Sequence, residues 1–580
     1  MPERLQYKKI KGIGISPGIA IGKAFVWEFP SFQEAEYTID KPAIEKEIER
    51  LNDAINTTES QIEELQQTFE KEAGSQYADI FSFHLALLKD KWFRSEIERI
   101  IREERLNSES AVKKIIHHIG KVFKKEEKDF HQDRRRDILD VIERIIHNLR
   151  GSSCTEINIF PDEILVTRDL SPSQTVSIDK RYIRGFITAI GSETSHAAII
   201  AKALEVPAVV GGEKITTEIK SGDTVIIDGH TGEIIIKPSK KVIAEYKKKQ
   251  EQLLLRKKQL LFLKDSPCET IDGKRIYLHA NIELPEEVET ARKYGADGIG
   301  LYRTEYLYLN RNDLPTEEEH FLAYKKVVEK MGDKRPVIIR TIDIGGDKFV
   351  SALSIRKELN PFLGWRGIRF SLERRDIFET QLRAILRAAI YGNLKVMFPM
   401  VSTLEEVRMS HRILQKVKDD LKKEKKKFKE DIEVGIMVET PSAALITDKL
   451  AEESSFFSIG SNDLIQYTLA VDRSNEKISH LYQPCHPAVI KLIKITIENG
   501  KKKGIWTGLC GEMASIPEIA CLLVGMGIDE LSMAPSAIPA VKEKIMSVRY
   551  SAMEKVSQEV VLFETHEKVY KYLTDKIKGG

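Results

Sequence analysis

EVGIMVETPSAALITDKLAEESSFFSIGSND, residues 433–463, carries two short apolar runs, EVGIMVE and FFSIGSND, with a helix-prone stretch between them. Outward from this unit the same strand–helix rhythm recurs in both directions. RIYLHANI, GIGLYRTEY, PVIIRTIDI and KVMFPM precede it, and IWTGLCG and DELSMAP follow it, each trailed by a segment of helical period. Eight such units over about 310 residues are what a closed (β/α)8 TIM barrel requires. An open doubly wound sheet is the competing architecture, but no glycine-rich dinucleotide fingerprint follows the first strand. The barrel is expected over residues 267–580.

Ahead of it, residues 238–266 are basic and helix-prone, bracketed by Pro238 and Pro267, and read as a semi-rigid linker helix. Residues 8–27 (KKIKGIGISPGIAIGKAFVW) read as two short strands about a Gly/Pro turn. The period then changes. Ile44, Ile48, Leu51, Ile55, Ile62, Leu65 and Phe69 mark one long amphipathic helix, entered through Pro42. Helical periodicity continues to about residue 150, which predicts a bundle over 35–150. Strand character returns in EINIF, EILVT, RGFITAI, PAVVGG, DTVIIDG and GEIIIK, with the helix TSHAAIIAKALE among them. The expected architecture is multidomain α/β: a small α/β domain from 1–34 plus 151–237, with the bundle inserted, then the linker and the barrel.

Composition excludes several classes. The chain has 580 residues, 31% of them charged, yet a net charge of only +2, so no one-signed face for nucleic acid is indicated. Five scattered cysteines (154, 268, 485, 510 and 521) suggest no disulfide framework and a reducing compartment. The N-terminus MPERLQYKKIKG lacks the apolar core of a signal peptide, and no apolar run is long enough to span a bilayer. A soluble cytoplasmic protein is expected, without membrane insertion.

In TIM barrels catalytic groups sit where the strands end. Those ends offer Arg303, Arg340, Glu439, Asn462, Asp463 and Cys510, with Arg473 in the loop after strand six and Arg366 ahead of the helix that follows strand three. Taken singly, a strand-end arginine is usually a surface ion-pair residue and a cysteine core filler. Converging on one mouth, the arginines, carboxylates and thiol would leave charge uncompensated unless a polyanion and a metal completed the site. Guanidinium groups match phosphate and carboxylate oxygens, and two hard oxygen ligands, Glu439 and Asp463, suit Mg²⁺ rather than Zn²⁺. A thiol tuned by neighbouring positive charge can act in acid–base chemistry. Phosphoenolpyruvate fits this set, because cleavage of its P–O bond leaves an enolate that needs stabilisation and then a proton at carbon.

GSETSHAAIIAKALEVPAVVGG places His196 on the first turn of a helix, with Thr194 or Ser195 as cap and Ile199, Ile200, Ala203 and Leu204 facing inward. A neutral imidazole at a helix N-terminus is a competent nucleophile where a phosphoryl group is favoured. A histidine that merely packs at a helix start is the equally weighted alternative on this segment alone. His486, in QPCHPAVI, opens a helix and reads as structural.

TSHAAI, PAVVG, GADGIGLYRTEYLY, RTIDIGGDK, NPFLGWRGIR, MVETPSAA, IGSNDLIQYTLAVDR, QPCHPAV and GLCGE together resemble enzyme I of the bacterial phosphoenolpyruvate:sugar phosphotransferase system, in the order that family has them. The resemblance covers essentially the whole chain. It implies His196 as the phosphohistidine, with Thr175 as a hydrogen-bond partner of its imidazole. It implies Arg303, Arg340, Asn462, Asp463 and Arg473 as phosphoenolpyruvate contacts. Arg366 is a supporting residue, Glu439 and Asp463 are the Mg²⁺ ligands, and Cys510 is the proton donor to the enolate. It also implies HPr docked on the helical insertion as phosphoryl acceptor, and a homodimer through the barrel.

Two rival readings differ from this one. A phosphoenolpyruvate synthase or pyruvate phosphate dikinase shares the same modules but needs a nucleotide-binding domain ahead of the histidine domain. A non-catalytic regulatory paralogue draws support only from one departure: Ser192 and Glu193 stand where the family has Gly-Arg before Thr-Ser-His. A carboxylate beside the imidazole would repel a phosphoryl dianion. Glu193→Arg is therefore expected to accelerate autophosphorylation; an unchanged or slower rate in quench-flow would show the departure to be neutral or compensated.

Overall fold

The computed structural model describes residues 7–27, 37–73, 81, 84–123, 131–151, 163–170, 183–191, 201, 206–211, 215–308, 313–345, 358, 360–473, 475 and 478–578. They divide into two compact units, Met1–Arg256 and Lys257–Gly580.

In the first unit an eight-stranded sheet runs in the order β1-β8-β7-β3-β4-β5-β6-β2. Its strands are β1 (Lys8–Lys11), β2 (Ile13–Ser16), β3 (Ile19–Trp27), β4 (Glu163–Thr167), β5 (Ile183–Thr188), β6 (Ala208–Val210), β7 (Thr224–Asp228) and β8 (Glu233–Ile236). The N-terminal segment thus makes three strands where two were expected. The reason lies at Gly12. β1 pairs with β8 and β2 with β6, at opposite ends of the strand order, so the chain changes partner across this one residue. A Cβ on Gly12 would lie 2.7 Å from the carbonyl oxygen of Val210, too close for any other side chain.

Between β3 and β4 the chain forms a bundle of α1 (Ile44–Ala73), α2 (Lys91–Glu104), α3 (Ser108–Phe123) and α4 (His131–Leu149). Leu51, Ile55, Ile62, Ile97, Ile101, Val112, Ile115, Val141 and Ile145 form its buried core. α1 is entered through a 3₁₀ turn at Lys41–Ala43 that holds Pro42, where a missing N–H costs nothing. Asp90 caps α2 by accepting from the Phe93 N–H at 2.8 Å. The small α/β domain with its helical insertion is therefore present. EINIF, most of TSHAAIIAKALE, Thr175, Ser192, Glu193 and His196 lie outside the described residues. α5 (Lys240–Phe262) occupies the segment read as a linker helix, and the boundary between the two units falls within it.

The second unit is a closed barrel of eight parallel strands. They are β9 (Tyr277–Ile282), β10 (Gly298–Tyr302), β11 (Val337–Arg340), β12 (Leu394–Phe398), β13 (Val434–Val438), β14 (Phe456–Gly460), β15 (Trp506–Cys510) and β16 (Glu530–Met533). Each of the eight expected runs supplies one strand. Residues alternate between two buried faces, which is why the strands read as nearly unbroken apolar runs. Ile339, Val396, Ile436, Leu509 and Leu531 pack outward against the helices. Leu301, Ile338, Met397, Met437, Phe456 and Cys510 form an inner cluster. Phe456 and Trp506 stack at 4.4 Å beneath it. Capping boxes at Thr316/Glu319 and Thr403/Glu406 fix the starts of two outer helices.

The barrel-mouth charge cluster as candidate active site

Arg340 is the last residue of β11 and points its guanidinium into a chain of buried charges. Its Nη2 donates to Glu305 Oε1 at 2.9 Å, and its Nη1 lies 3.1 Å from Asp343 Oδ2. Arg366, in the loop before the helix Ile368–Glu373, clasps the two oxygens of Asp343 with Nε (3.2 Å) and Nη2 (2.8 Å). The same Nη2 reaches Asp463 Oδ2 at 3.3 Å, and Nη1 donates to the Tyr467 hydroxyl at 3.2 Å. Asp463 sits in the first turn of the helix Ser461–Leu469 that follows β14. Burial by itself would lower the pKa of both arginines. The facing carboxylates, Glu305 and Asp343 on Arg340, Asp343 and Asp463 on Arg366, reverse that and hold both firmly protonated.

Glu439 follows β13 and is 2% exposed. Its Oε1 accepts from the backbone N–H of Met400 at 2.6 Å. Met400 adopts φ +55°, a left-handed conformation unusual for a side chain of its size, and so holds its N–H on the carboxylate. Gly460 leaves room on the other side, because a Cβ there would come within 2.6 Å of Glu439 Oε2. Burial first, then the charges of Asp463 and Asp343, push the Glu439 carboxyl up to about 8, despite Arg340 and Arg366.

The balance of charge differs from expectation. Charge expected to await a polyanion and a metal is in part met within the cluster, where Glu305 and Asp343 match Arg340 and Arg366. With Glu439 and Asp463 added, four carboxyl groups face two guanidinium groups, and the charges of Asp463 and Asp343 add to burial in raising Glu439. A divalent cation fits that excess of carboxyl groups. Among the described residues no three His, Cys, Asp or Glu side chains form a closed metal site. Glu439 and Asp463 supply the hard oxygen donors that could hold Mg²⁺.

The remaining arginines stand at the rim. Arg303, immediately after β10, donates from Nη1 to Glu283 Oε1 at 2.6 Å, with both side chains over a third exposed. Arg473 lies 3.9 Å from Glu512 Oε1 and is similarly exposed. Such exposed pairs are weak and exchange readily for a ligand. Asn462 accepts the Glu512 N–H through Oδ1 at 3.0 Å, which leaves its amide NH₂ without an internal partner among the described residues.

Cys510 ends β15 with its thiol 3% exposed. Ser458 Oγ donates to Sγ at 3.5 Å. Burial pushes the thiol up to about 11, and Arg340 offsets this only in part, so the expected tuning by positive charge is overruled by desolvation. A thiol held protonated is a proton donor rather than a nucleophile.

Arg340, Arg366, Glu439 and Asp463 thus converge, with Cys510 in the inner cluster beside them, Asn462 next to Asp463, and Arg303 and Arg473 at the rim. Sequence reasoning missed Glu305, Asp343 and Met400. The two acids lie inside the quoted motifs GIGLYRTEY and RTIDIGGDK, two and three residues beyond an arginine already chosen. Met400 carried no signal, since only backbone geometry distinguishes it. His486, as expected, serves structure: its Nδ1 accepts from the Ala488 N–H at the start of the helix Pro487–Lys503.

Residues 257–550 match the family description "PEP-utilising enzyme, PEP-binding domain", residues 11–134 "PEP-utilising enzyme, N-terminal" and residues 159–232 "PEP-utilising enzyme, mobile domain". Three curated relatives align over nearly the full chain, each named phosphoenolpyruvate-protein phosphotransferase. The one from Staphylococcus carnosus is 42% identical over 99% of this chain and 100% of its own. That from Geobacillus stearothermophilus is 41% identical over 99% of both chains. That from Bacillus subtilis is 41% identical over 98% of this chain and 100% of its own.

The raised thiol gives a direct test. Because only thiolate reacts with iodoacetamide, Cys510 is expected to alkylate at least about tenfold more slowly at pH 9 than a cysteine peptide, and to accelerate only as pH climbs towards 11. Peptide mass spectrometry of briefly pulsed samples reads this; alkylation at the peptide's rate at pH 9 would contradict it.

Proposed function

The chain belongs to the phosphoenolpyruvate-protein phosphotransferase (enzyme I) family, and from that premise we propose which of its residues carry phosphoryl transfer from phosphoenolpyruvate to protein. It is a phosphotransferase of the PEP-utilising class. The observation that best supports the residue assignment is the buried cluster of Arg340, Arg366, Glu439 and Asp463 at the carboxyl ends of the barrel strands.

Arg303 and Arg473, in exchangeable pairs at the rim, grip the phosphate and carboxylate of phosphoenolpyruvate, and the Asn462 amide donates to it. Arg340 and Arg366, already held by carboxylates, present fixed positive charge to the reacting oxygens without reorganising. Glu439 and Asp463 would hold Mg²⁺, which when bound neutralises phosphate and enolate charge. His196 attacks phosphorus, the bridging P–O bond breaks, and the enolate leaves. Cys510 then gives its proton to the enolate carbon, producing pyruvate. Burial suits the thiol for this role by keeping it protonated at neutral pH.

His196 next passes the phosphoryl group to a histidine of HPr, which docks on the α1–α4 bundle. One imidazole cannot meet a barrel mouth and a protein partner together, so the α/β domain moves on the α5 connection between the two encounters. Thr175 steadies the His196 ring. The chain self-associates through the barrel, as the family resemblance implies. A cytoplasmic location agrees with the scattered cysteines. No helix among the described residues is long and apolar enough to cross a membrane.

Labelling with [³²P]phosphoenolpyruvate and magnesium tests the assignment. The wild type is expected to take up label and release pyruvate; His196→Ala should take up none. Cys510→Ala should keep the acceptor yet release pyruvate about 10²-fold or more slower. Full labelling of His196→Ala would move the acceptor elsewhere, and label gained from ATP instead would favour the dikinase-like reading.

A further inference from the structure

We propose that His279, Glu530 and Ser532 form a proton relay inside the barrel that recharges Cys510 after each enolate protonation. The inference rests on the reading of Cys510 as the proton donor.

The barrel interior is divided. One side is apolar, filled by Leu301, Ile338, Met397, Met437 and Phe456 around the Cys510 thiol. The other side, on β9, β10, β15 and β16, is polar. His279 Nδ1 lies 2.9 Å from Glu530 Oε1, with both side chains about 5% exposed or less. Neither ring nitrogen of His279 and neither carboxylate oxygen of Glu530 makes a well-directed hydrogen bond to any described residue, so the two meet by close approach alone. Two ionisable groups taken out of water with so few partners are costly, where branched aliphatics would fill a barrel at no such cost.

Three glycines make the room for them. A Cβ on Gly300 would lie 2.1 Å from Glu530 Oε1, on Gly508 2.3 Å from Glu530 Oε2, and on Gly298 3.0 Å from His279 Nε2. None of these groups belongs to the charge cluster at the mouth, so phosphoenolpyruvate binding does not account for them.

They do form a line towards the thiol. The same Cβ on Gly300 would also come within 2.5 Å of Ser532 Oγ, so that hydroxyl and the Glu530 carboxylate are neighbours. Ser532 Oγ donates its proton to Asn281 Oδ1 at 2.6 Å, and must turn from it to reach sulfur. Cys510 and Ser532 are paired in register on adjacent strands, one layer above Glu530 and its partner Gly508. At the other end, Tyr277 lies beside the His279 ring at 6.4 Å and is about half exposed, which gives the line a wet end. Charged groups at that end include Arg275, over the Tyr277 ring and paired with Asp297, and Lys395, over Trp506 and paired with Glu433.

The protons balance without any oxidant or reductant. Cys510 gives its S–H proton to C3 of the enolate and is left as thiolate. The Ser532 hydroxyl turns from Asn281 Oδ1 to the sulfur, gives it the proton and takes one from the Glu530 carboxyl, which His279 then resupplies. Water at the Tyr277 end returns a proton to that pair. Because the thiol is buried, recharging through the barrel needs no opening of the mouth.

The full chain incubated with phosphoenolpyruvate, [¹⁴C]pyruvate and magnesium in D₂O reads two rates at once. Return of ¹⁴C into phosphoenolpyruvate lets Cys510 hand its proton out and take it back. Deuterium wash-in at C3 requires the sulfur to be recharged from solvent. Glu530→Gln and Ser532→Ala are each expected to lower the ratio of wash-in to ¹⁴C exchange at least about tenfold. An unchanged ratio in Ser532→Ala, or both rates falling together in both variants, overturns the relay, since a structural defect moves the two alike. Should Glu530→Gln not fold, the smaller Ser532→Ala change decides. Cys510→Ala is the separate check: if it leaves wash-in intact, the donor assignment fails and the relay falls with it.

Discussion

Asp343 holds two buried guanidinium groups at once, Arg340 on one side and Arg366 on the other, and the candidate site is built around that bridge. Glu305 secures it twice, accepting from Arg340 and from the backbone N–H of Asp343 at 3.0 Å. Pairs this deep do not repay their desolvation unless every partner is in place. Their value here is positional. Arg340 closes β11, Arg366 comes from the loop beyond it, and Asp463 starts the helix after β14, so the bridge fixes three separate stretches of chain against one another. Glu439 is fixed independently, by the strained backbone of Met400.

This arrangement separates two tasks that a list of arginines would merge. Arg340 and Arg366 are already neutralised and act as fixed electrostatic furniture. Arg303 and Arg473 stand at the rim in exposed pairs with Glu283 and Glu512. Glu439 and Asp463 are then the carboxyl groups beyond the two that match Arg340 and Arg366. Beneath them, the interior is split between an apolar wall around Cys510 and a polar wall that carries His279 and Glu530.

Much of this was legible in the sequence. The eight apolar runs each became a strand because a parallel strand buried on two faces leaves a continuous apolar signature. The change of period at Ile44 marked the helical bundle for a similar reason. Candidate residues at strand ends were legible because the barrel topology puts them there. Three features were not. Glu305 and Asp343 looked like ordinary acids in charged motifs, and only their burial reveals them as the partners of the arginines. Gly12 reads as one glycine among several until the sheet is seen to change edges at it. The thiol of Cys510 was expected to be tuned by nearby cations, whereas its distance from water, which no local motif encodes, outweighs them.

The account depends most on the claim that the mouth cluster is an incomplete charge set, finished jointly by a divalent cation and an anionic enol phosphate. Calorimetric titration of phosphoenolpyruvate into the His196→Ala chain, which binds without phosphoryl transfer, with Mg²⁺ and again in chelator, measures this directly. Binding is predicted to tighten at least about tenfold with the cation present, each ligand supplying charge the other needs. Equal affinity in the two titrations would show that the carboxylates are balanced without a metal, and would contradict the account.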